Sequence, residues 1–280
     1  MSLGFTITQK ERLRELSVED EMIEGLFEDV EKRNNSYKVL EVLGVKKFRA
    51  KIEKLLNEKH FSDSMIIESI LEDWLIKEKG YTRVSTPTII AKEMLEKMSI
   101  TRDHSLSEQV FWLNQNKCLR PMLAPNLYVM MRELHRITNQ PVKIFEIGSC
   151  FRKESQGAHH MNEFTMLNFV EFAGVEDGKQ MEALEHMAKE AMRVLEIENY
   201  ELETESSTVY ESTLDVVVDG IEVASGSFGP HTLDGNWGVV GTWVGIGFGI
   251  ERLALVKGGY NTIKRVGKSI AFIDGSPLNI

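Results

Sequence analysis

The chain has 280 residues, 42% hydrophobic and 27% charged, with six prolines and no low-complexity tract. That length buries a sizeable core in one large domain, or one with a small appendage, which excludes a disordered chain and removes any need for disulfide or metal staples. Its 33 basic and 43 acidic residues leave a net charge of −10, so any contact with nucleic acid has to come from local basic clusters rather than from the overall field.

Residues 1–80 read as helical. The stretch from Gln9 to Glu31 is polar-helical with a weak apolar stripe. Six basic residues (Lys46, Lys47, Arg49, Lys51, Lys54, Lys59) lie between Val45 and His60 against two acidic ones, with a smaller cluster at Lys257, Lys264, Arg265 and Lys268. Each reads equally as a solvated helix face or as a nucleic-acid footprint. Ser62-Asp63-Ser64 offers N-caps for a helix in which Ile66, Ile70 and Trp74 recur every four residues, and Gly80 is a natural stop. After Gly80 strands take over. YTRVSTPTII is a strand broken at Pro87, and QVFWLN and KCLRPML are strands joined by a polar turn. Pro125 opens a helix with Leu127, Met130, Met131 and Leu134 on one face.

PVKIFEIGSCF and FTMLNFVEF follow as strands separated by the polar loop RKESQGAHHMNE, an antiparallel pair with a long functional loop. Met181, Leu184, Ala188, Ala191 and Leu195 mark a further amphipathic helix. TLDVVVDG and IEVASG form a hairpin turning at Asp219-Gly220. GIGFGIERLALV is a glycine-rich strand running into a helix. Helices first, then mostly antiparallel strands with interspersed helices, make an α+β chain. No run approaches the roughly 18 apolar residues of a membrane helix. The N-terminus has no secretory h-region, and Cys118 and Cys150, without metal-site companions, suit packing in a reducing cytosol. The expected localisation is cytoplasmic.

Three places carry chemistry. Arg152 stands at a strand end beside the loop, where a planar guanidinium can hold a phosphate or carboxylate. Glu154 leaves on the same side, and His160 and Phe164 follow, with Phe164 able to stack on a base. Alone, Arg-x-Glu reads equally as a surface salt bridge. Gly245, Gly247 and Gly249 alternate, clearing one strand face for a flat ligand or for tight packing, and Arg252 opens the next helix. The G-x-G-x-G spacing does not fit a dinucleotide fingerprint. Glu222 and Ser225 are oxygen ligands suited to Mg²⁺, or simply the end of a strand.

Together, F-R-x-E, a loop and H-x-x-x-F, then G-x-G-x-G-x-E-R about 90 residues on, are similar to motifs 2 and 3 of the class II aminoacyl-tRNA synthetases, with Pro87 where motif 1 has its proline. LRPMLAPNLY, KIFEIGSCFRKES, EFTMLNF and GFGIERL resemble the pyrrolysyl branch of that family nearly residue for residue, as do Val209-Tyr210, Leu214-Asp215-Val216 and Gly229-Pro230. The close resemblance spans about Ser107 to Leu255. It implies the class II synthetase fold, an antiparallel sheet core flanked by helices, over residues 81–280, preceded by a tRNA-contacting helical region over 1–80.

The resemblance implies a reaction and roles. The chain would activate pyrrolysine, a long lysine derivative, with ATP and pass it to an amber-suppressor type of tRNA. Arg152 would hold the α-phosphate and the amino-acid carboxylate. Glu154 and His160 would frame the adenine, stacked on Phe164 and covered by Arg252, which reaches the γ-phosphate. Glu222 and Ser225 would carry Mg²⁺. Leu123, Ala124, Leu127, Tyr128 and Met131 would line the amino-acid pocket from a helix, completed by Asn168, Val170, Tyr210, Ser227, Trp243 and Gly245. Asn168 would donate to the side-chain amide carbonyl, and Tyr210 would close over the substrate from a hairpin.

Met131 and Val170 depart from the leucine and cysteine of archaeal members, and Gly226 and Ser227 replace more apolar residues. All four are expected to change pocket volume and polarity. The resemblance further implies a homodimer. It leaves the family's separate N-terminal tRNA-binding domain to a separately encoded protein, or to a form that works without one. The rival readings are a phenylalanine- or phosphoserine-activating relative and a non-catalytic paralogue that acts as a binding module. Phosphoserine would need cations that the pocket positions lack, and phenylalanine would leave Asn168 idle.

Overall fold

The computed structural model describes residues 2–153, 161–207 and 209–280. It divides into two compact units, residues 1–62 with 269–280, and residues 63–268.

The first unit is helical. Helix α1 (Ile7–Glu15) opens on a capping box in which Thr6 and Gln9 satisfy each other's backbone donors. Ser17, at a φ of 51°, ends it. The polar stretch expected to run as one helix to Glu31 is therefore broken into α1, the short α2 (Asp20–Ile23) and the start of α3 (Val30–Lys54). Phe5, Leu13 and Ile23 make its small core, with Tyr37 and Leu40 of α3 packed on them. A Cβ at Gly44 would come within 2.8 Å of Leu16 Cβ, so a glycine lets these segments meet. Lys46, Lys47, Arg49 and Lys54 are exposed along α3. A C-terminal hairpin turns at Asp274-Gly275, and Lys59 pairs with Asp274 at 2.9 Å.

The second unit begins with α4 (Asp63–Asp73), which continues as a wide π-helical turn to Glu78 and stops at Gly80 with φ +72°. Strands β1 (Thr82–Arg83) and β2 (Ile89–Ala91) flank the Pro87 break. Helices α5 (Lys92–Lys97) and α6 (Ser105–Glu108) lead to β3 (Lys117–Leu119), which pairs with β2. QVFWLN, expected as a strand, is one isolated bridge, Trp112 to Cys118. β3 is flanked on both sides, by β2 and by the 111–113 segment, which bonds to it through Leu119 N–H to the Phe111 carbonyl and Leu113 N–H to the Lys117 carbonyl, a contact too short to make a strand. Helix α7 (Ala124–Thr138) has the expected Pro125 in its first turn. Then come β4 (Val142–Phe151), β5 (Glu163–Phe172), α8 (Gln180–Val194), β6 (Glu201–Ser207), β7 (Glu211–Val218), β8 (Ile221–Gly229), α9 (Asp234–Trp237), β9 (Trp243–Gly249) and α10 (Ile250–Lys257).

The seven-stranded sheet has the order β1-β4-β5-β9-β8-β7-β6. Every pairing is antiparallel except the short β1 against β4. Period-2 alternation divides its two faces. Leu167, Phe169, Val244, Ile246, Phe248 and Ala224 face a core shared with α4, α8 and α10. Asn168, Val170, Gly245, Gly247, Ser225 and Ser227 point the other way, into a cavity roofed in part by α7. Among the described residues, no helix is long and apolar enough to cross a membrane.

Candidate active site

The cavity occupies about 510 Å³ on the second face of the sheet. Its floor is two rows of cross-strand neighbours. Asn168, Gly247, Ser225 and Asp215 form one, from β5 through β9 and β8 to β7. Val170, Gly245 and Ser227 form the next. Gly247 is required by contact, because a Cβ there would lie 2.7 Å from the Asn168 amide nitrogen and 2.8 Å from its oxygen. At Gly245 a Cβ would stand 3.2 Å from the Phe169 carbonyl oxygen. The glycines thus give β9 a bare face on which a flat group can lie.

One end of the cavity carries arginines. Arg152 follows the last residue of β4, and its main-chain N–H donates to Asn162 across the β4–β5 pair at 3.0 Å. Its Nε donates to the Pro121 carbonyl at 2.9 Å, and its guanidinium carbon lies 5.3 Å from the Phe164 ring centre. Arg152 and Phe164 are therefore already a cation–π pair. Opposite, Arg252 on α10 donates from Nη1 to the Glu222 carbonyl at 2.8 Å and to its carboxylate at 3.1 Å. Half of the Glu222 side chain is exposed, and an ion pair so placed is worth at most about 1 kcal/mol and opens readily for a better partner. Glu251 beside it is structural. It is buried, and both carboxylate oxygens accept from the Thr165 N–H, tying α10 to β5. Burial raises its pKa.

The other end is aromatic. Tyr128 lies parallel to Trp237, with centroids 5.2 Å apart, and edge-on to Trp243 at 5.6 Å. Tyr210 meets Trp243 edge-on at 6.1 Å. Burial foremost keeps the Tyr128 and Tyr210 hydroxyls protonated well above the ordinary phenol range.

Most of the expected residues meet here: Arg152, Phe164, Glu222, Ser225 and Arg252, with Ala124, Leu127, Tyr128, Met131, Asn168, Val170, Tyr210, Ser227, Trp243 and Gly245, all line one cavity. Glu154 and His160 lie outside the described residues. Two expectations fail. Leu123 is fully buried in the apolar core and does not line the cavity; it precedes the first turn of α7, and its neighbours Met122 and Ala124 do the lining. Gly226 contributes backbone only. Its missing side chain would point at Leu184 of α8, 2.8 Å away, because strand alternation turns it from the face that bears Ser225 and Ser227. The two cysteines are buried, and burial pushes the thiols up to about 11 at Cys118 and about 12 at Cys150, as packing residues require.

Four acids or bases escaped the sequence reading. Asp215 is buried in the floor beside Ser225, with one carboxylate oxygen that has no hydrogen-bond partner among the described residues. Arg120 and Glu146 form a buried ion pair at 2.8 Å that also gathers Thr86 and, through Arg120 Nε, the Ser149 carbonyl. It fixes the 120–121 segment whose carbonyl holds Arg152. Each of the three is a lone charge inside an apolar run, TLDVV, CLRPML or IFEIG, and a charge in such a place is either paired or at work. That was the available signal. The fourth, Asp234, sits in HTLDGNW and reads as an ordinary turn.

A family model described as tRNA synthetases class II core domain (F) matches residues 47–274. A crystal structure of pyrrolysyl-tRNA synthetase from Desulfitobacterium hafniense is similar over all of this chain and all of that one, with a TM-score of 0.91 and 44% identity. A second structure from that organism, described as PylSc, a pyrrolysyl tRNA synthetase, has a TM-score of 0.88 and 43% identity over all of this chain and 96% of that one. Among curated sequences, a threonine–tRNA ligase from Finegoldia magna is 32% identical over 108 residues, which are 38% of this chain. The match covers about a sixth of that ligase, 17% of its length.

Proposed function

The chain belongs to the class II core (F) family of tRNA synthetases and is an aminoacyl-tRNA ligase, and on that premise we propose that it activates pyrrolysine with ATP and transfers it to its cognate tRNA. The observation that carries this is one cavity with an arginine end, a deep aromatic end and a glycine floor joining them. Full-length similarity to pyrrolysyl-tRNA synthetase supports the choice of amino acid.

The first step needs no base. The amino-acid carboxylate is an anion at neutral pH, and its oxygen attacks the α-phosphorus of ATP. The bond from phosphorus to the bridging oxygen breaks, and pyrophosphate leaves with the electron pair. Repulsion between anions and loss of alignment are the barrier, so cations fixed in place lower it. Arg152 holds the α-phosphate and the carboxylate. Its Nε bond to the Pro121 carbonyl orients the guanidinium fork. Phe164 and Arg252 receive the adenine, with Arg252 exchanging its weak bond to Glu222 for the γ-phosphate. A terminal ribose hydroxyl of the tRNA then attacks the carbonyl, and AMP leaves.

The residues fit a hard cation. The Glu222 carboxylate and Ser225 hydroxyl are joined by the buried Asp215 oxygen that has no partner among the described residues. Among the described residues no group of three acidic, His or Cys ligands gathers by itself. Mg²⁺ held by Glu222, Ser225 and Asp215 would neutralise the phosphates. At the far end the ring and carbamoyl chain of the substrate lie on Gly245 and Ser227 under the aromatic wall. The Asn168 amide, whose oxygen is buried without a partner among the described residues, serves the polar groups that distinguish this substrate from phenylalanine. The exposed lysines of α3 contact tRNA, residues 1–80 serving that role and 81–280 the chemistry, in a cytoplasmic homodimer. The test is charging of an amber-decoding tRNA, followed as a mobility shift after acid electrophoresis. Pyrrolysine-dependent charging is expected, and charging with phenylalanine instead would overturn the choice of amino acid.

A further inference from the structure

The aromatic end is organised by a carboxylate that the reaction above does not use. Asp234 is 4% exposed. It accepts from the Tyr128 hydroxyl at 3.1 Å, from Trp243 Nε1 at 3.0 and 2.9 Å, and from the His231 main-chain N–H at 2.7 Å. Tyr128 on α7 and Trp243 on β9 thus share this one carboxylate, and the Tyr210 ring packs edge-on against Trp243.

The same loop holds the Tyr210 hairpin directly. His231 Nε2 lies 3.0 Å from the Tyr210 carbonyl oxygen, consistent with an Nε2–H donor, and its ring meets the Tyr210 ring edge-on at 5.7 Å. Space is as constrained as charge. A Cβ on Gly229 would overlap Trp243 Nε1 and stand 2.7 Å from an Asp234 oxygen. Tyr128, Tyr210 and Trp243 all line the cavity, whereas Asp234 does not.

We propose that Asp234 is a positioning residue that fixes the depth and width of the amino-acid pocket by holding Tyr128 and Trp243 directly, and Tyr210 through their shared wall and the His231 loop. This rests on the reading of the aromatic end as the amino-acid pocket. Asp234 acts without touching substrate. Only an ionised carboxylate satisfies all three neutral donors, because it has two acceptor oxygens and no donor of its own. An asparagine offers one oxygen and turns an NH₂ toward a donor, so the tyrosine or the tryptophan loses its partner and the wall retreats.

The experiment uses the full chain and ATP–pyrophosphate exchange with Nε-methoxycarbonyl-, Nε-tert-butoxycarbonyl- and Nε-benzyloxycarbonyl-lysine. Asp234→Asn is expected to raise the amino-acid KM about 10- to 100-fold, the consequence of one unpaired buried donor, while the KM for ATP moves less than about twofold. The ratio of kcat/KM between the largest and smallest analogue shifts at least about tenfold. Tyr128→Phe removes the hydroxyl but keeps the ring, and shifts the ratio in the same direction. The double variant adds little to either single change, since both remove the same Tyr128–Asp234 hydrogen bond. If Asp234→Asn does not fold, Tyr128→Phe carries the test alone. A ratio unchanged in the variants, or a KM for ATP that rises in step with that for the amino acid, overturns the proposal. A wild-type chain that activates none of the three sinks the pocket reading and this proposal with it, a result distinct from an active wild type whose ratio the variants do not move.

Discussion

The two ends of the cavity are built on opposite plans. At the arginine end the working groups are partly exposed and bonded to one another by contacts a ligand can replace: Arg252 to Glu222, and Arg152 over Phe164. At the aromatic end they are buried and bonded to a framework, with Tyr128 and Trp243 at 3% and 4% exposure around Asp234. On the function proposed above, the difference follows from what each end meets. A triphosphate is the same in every turnover and brings enough charge to rearrange partners that are held weakly. A long, nearly uncharged side chain brings little electrostatic energy, so the shape that selects it has to stand before it arrives.

The arginine end is not loose all the way down, and the largest change comes from the layer beneath it. Glu146→Ala leaves Arg120 charged and buried without its partner, and should cost about 3–5 kcal/mol of stability. Thermal unfolding would register this as a markedly lower Tm; a Tm within a degree of wild type would mean that the pair does not anchor this end. Next, Arg152→Ala should slow adenylate formation on the order of 10²- to 10³-fold, as loss of a fixed donor to developing charge does, with the fold intact. Single-turnover pyrophosphate release measures it.

Asp215→Asn tests whether the buried floor acid serves the metal. It should weaken the Mg²⁺ requirement curve about 10- to 100-fold, the range seen for support around a metal site, and leave amino-acid selectivity alone. Titration of activity with MgCl₂ reads the shift, and a change in analogue preference instead would assign Asp215 to the aromatic end. The smallest effect belongs to the exposed periphery. Lys268 holds the Glu163 carboxylate below its usual pKa. A depressed carboxylate adds stability above its unfolded pKa and loses it as pH falls through the lower folded value. Glu163→Gln should cost less than about 1 kcal/mol near neutral pH, and nothing once the acid is protonated.

The same contrast explains what could be read from the sequence. The arginine end is built from contiguous pieces, FRKE, FTMLNF and GIGFGIER, each with its own spacing, and the strand alternation that aims Arg152, Asn168 and the glycines is local. The aromatic end is assembled from α7, the β6–β7 hairpin, the 229–237 loop and β9. No local pattern announces that a turn-like Asp234 will receive two side chains about 106 residues and 9 residues away. Leu123 and Gly226 failed for a related reason, since a motif gives proximity in sequence and not the direction of a side chain. QVFWLN failed because its contact with β3 is one bridge long, whereas the ladder of β3 is made with β2, some 28 residues upstream.

The measurement that bears most directly on the account is ATP–pyrophosphate exchange by the wild-type chain with Mg²⁺, comparing pyrrolysine with phenylalanine, lysine and the other standard amino acids. The account predicts exchange with pyrrolysine and none with lysine or phenylalanine at equal concentration. Exchange with phenylalanine, and none with pyrrolysine, would contradict it.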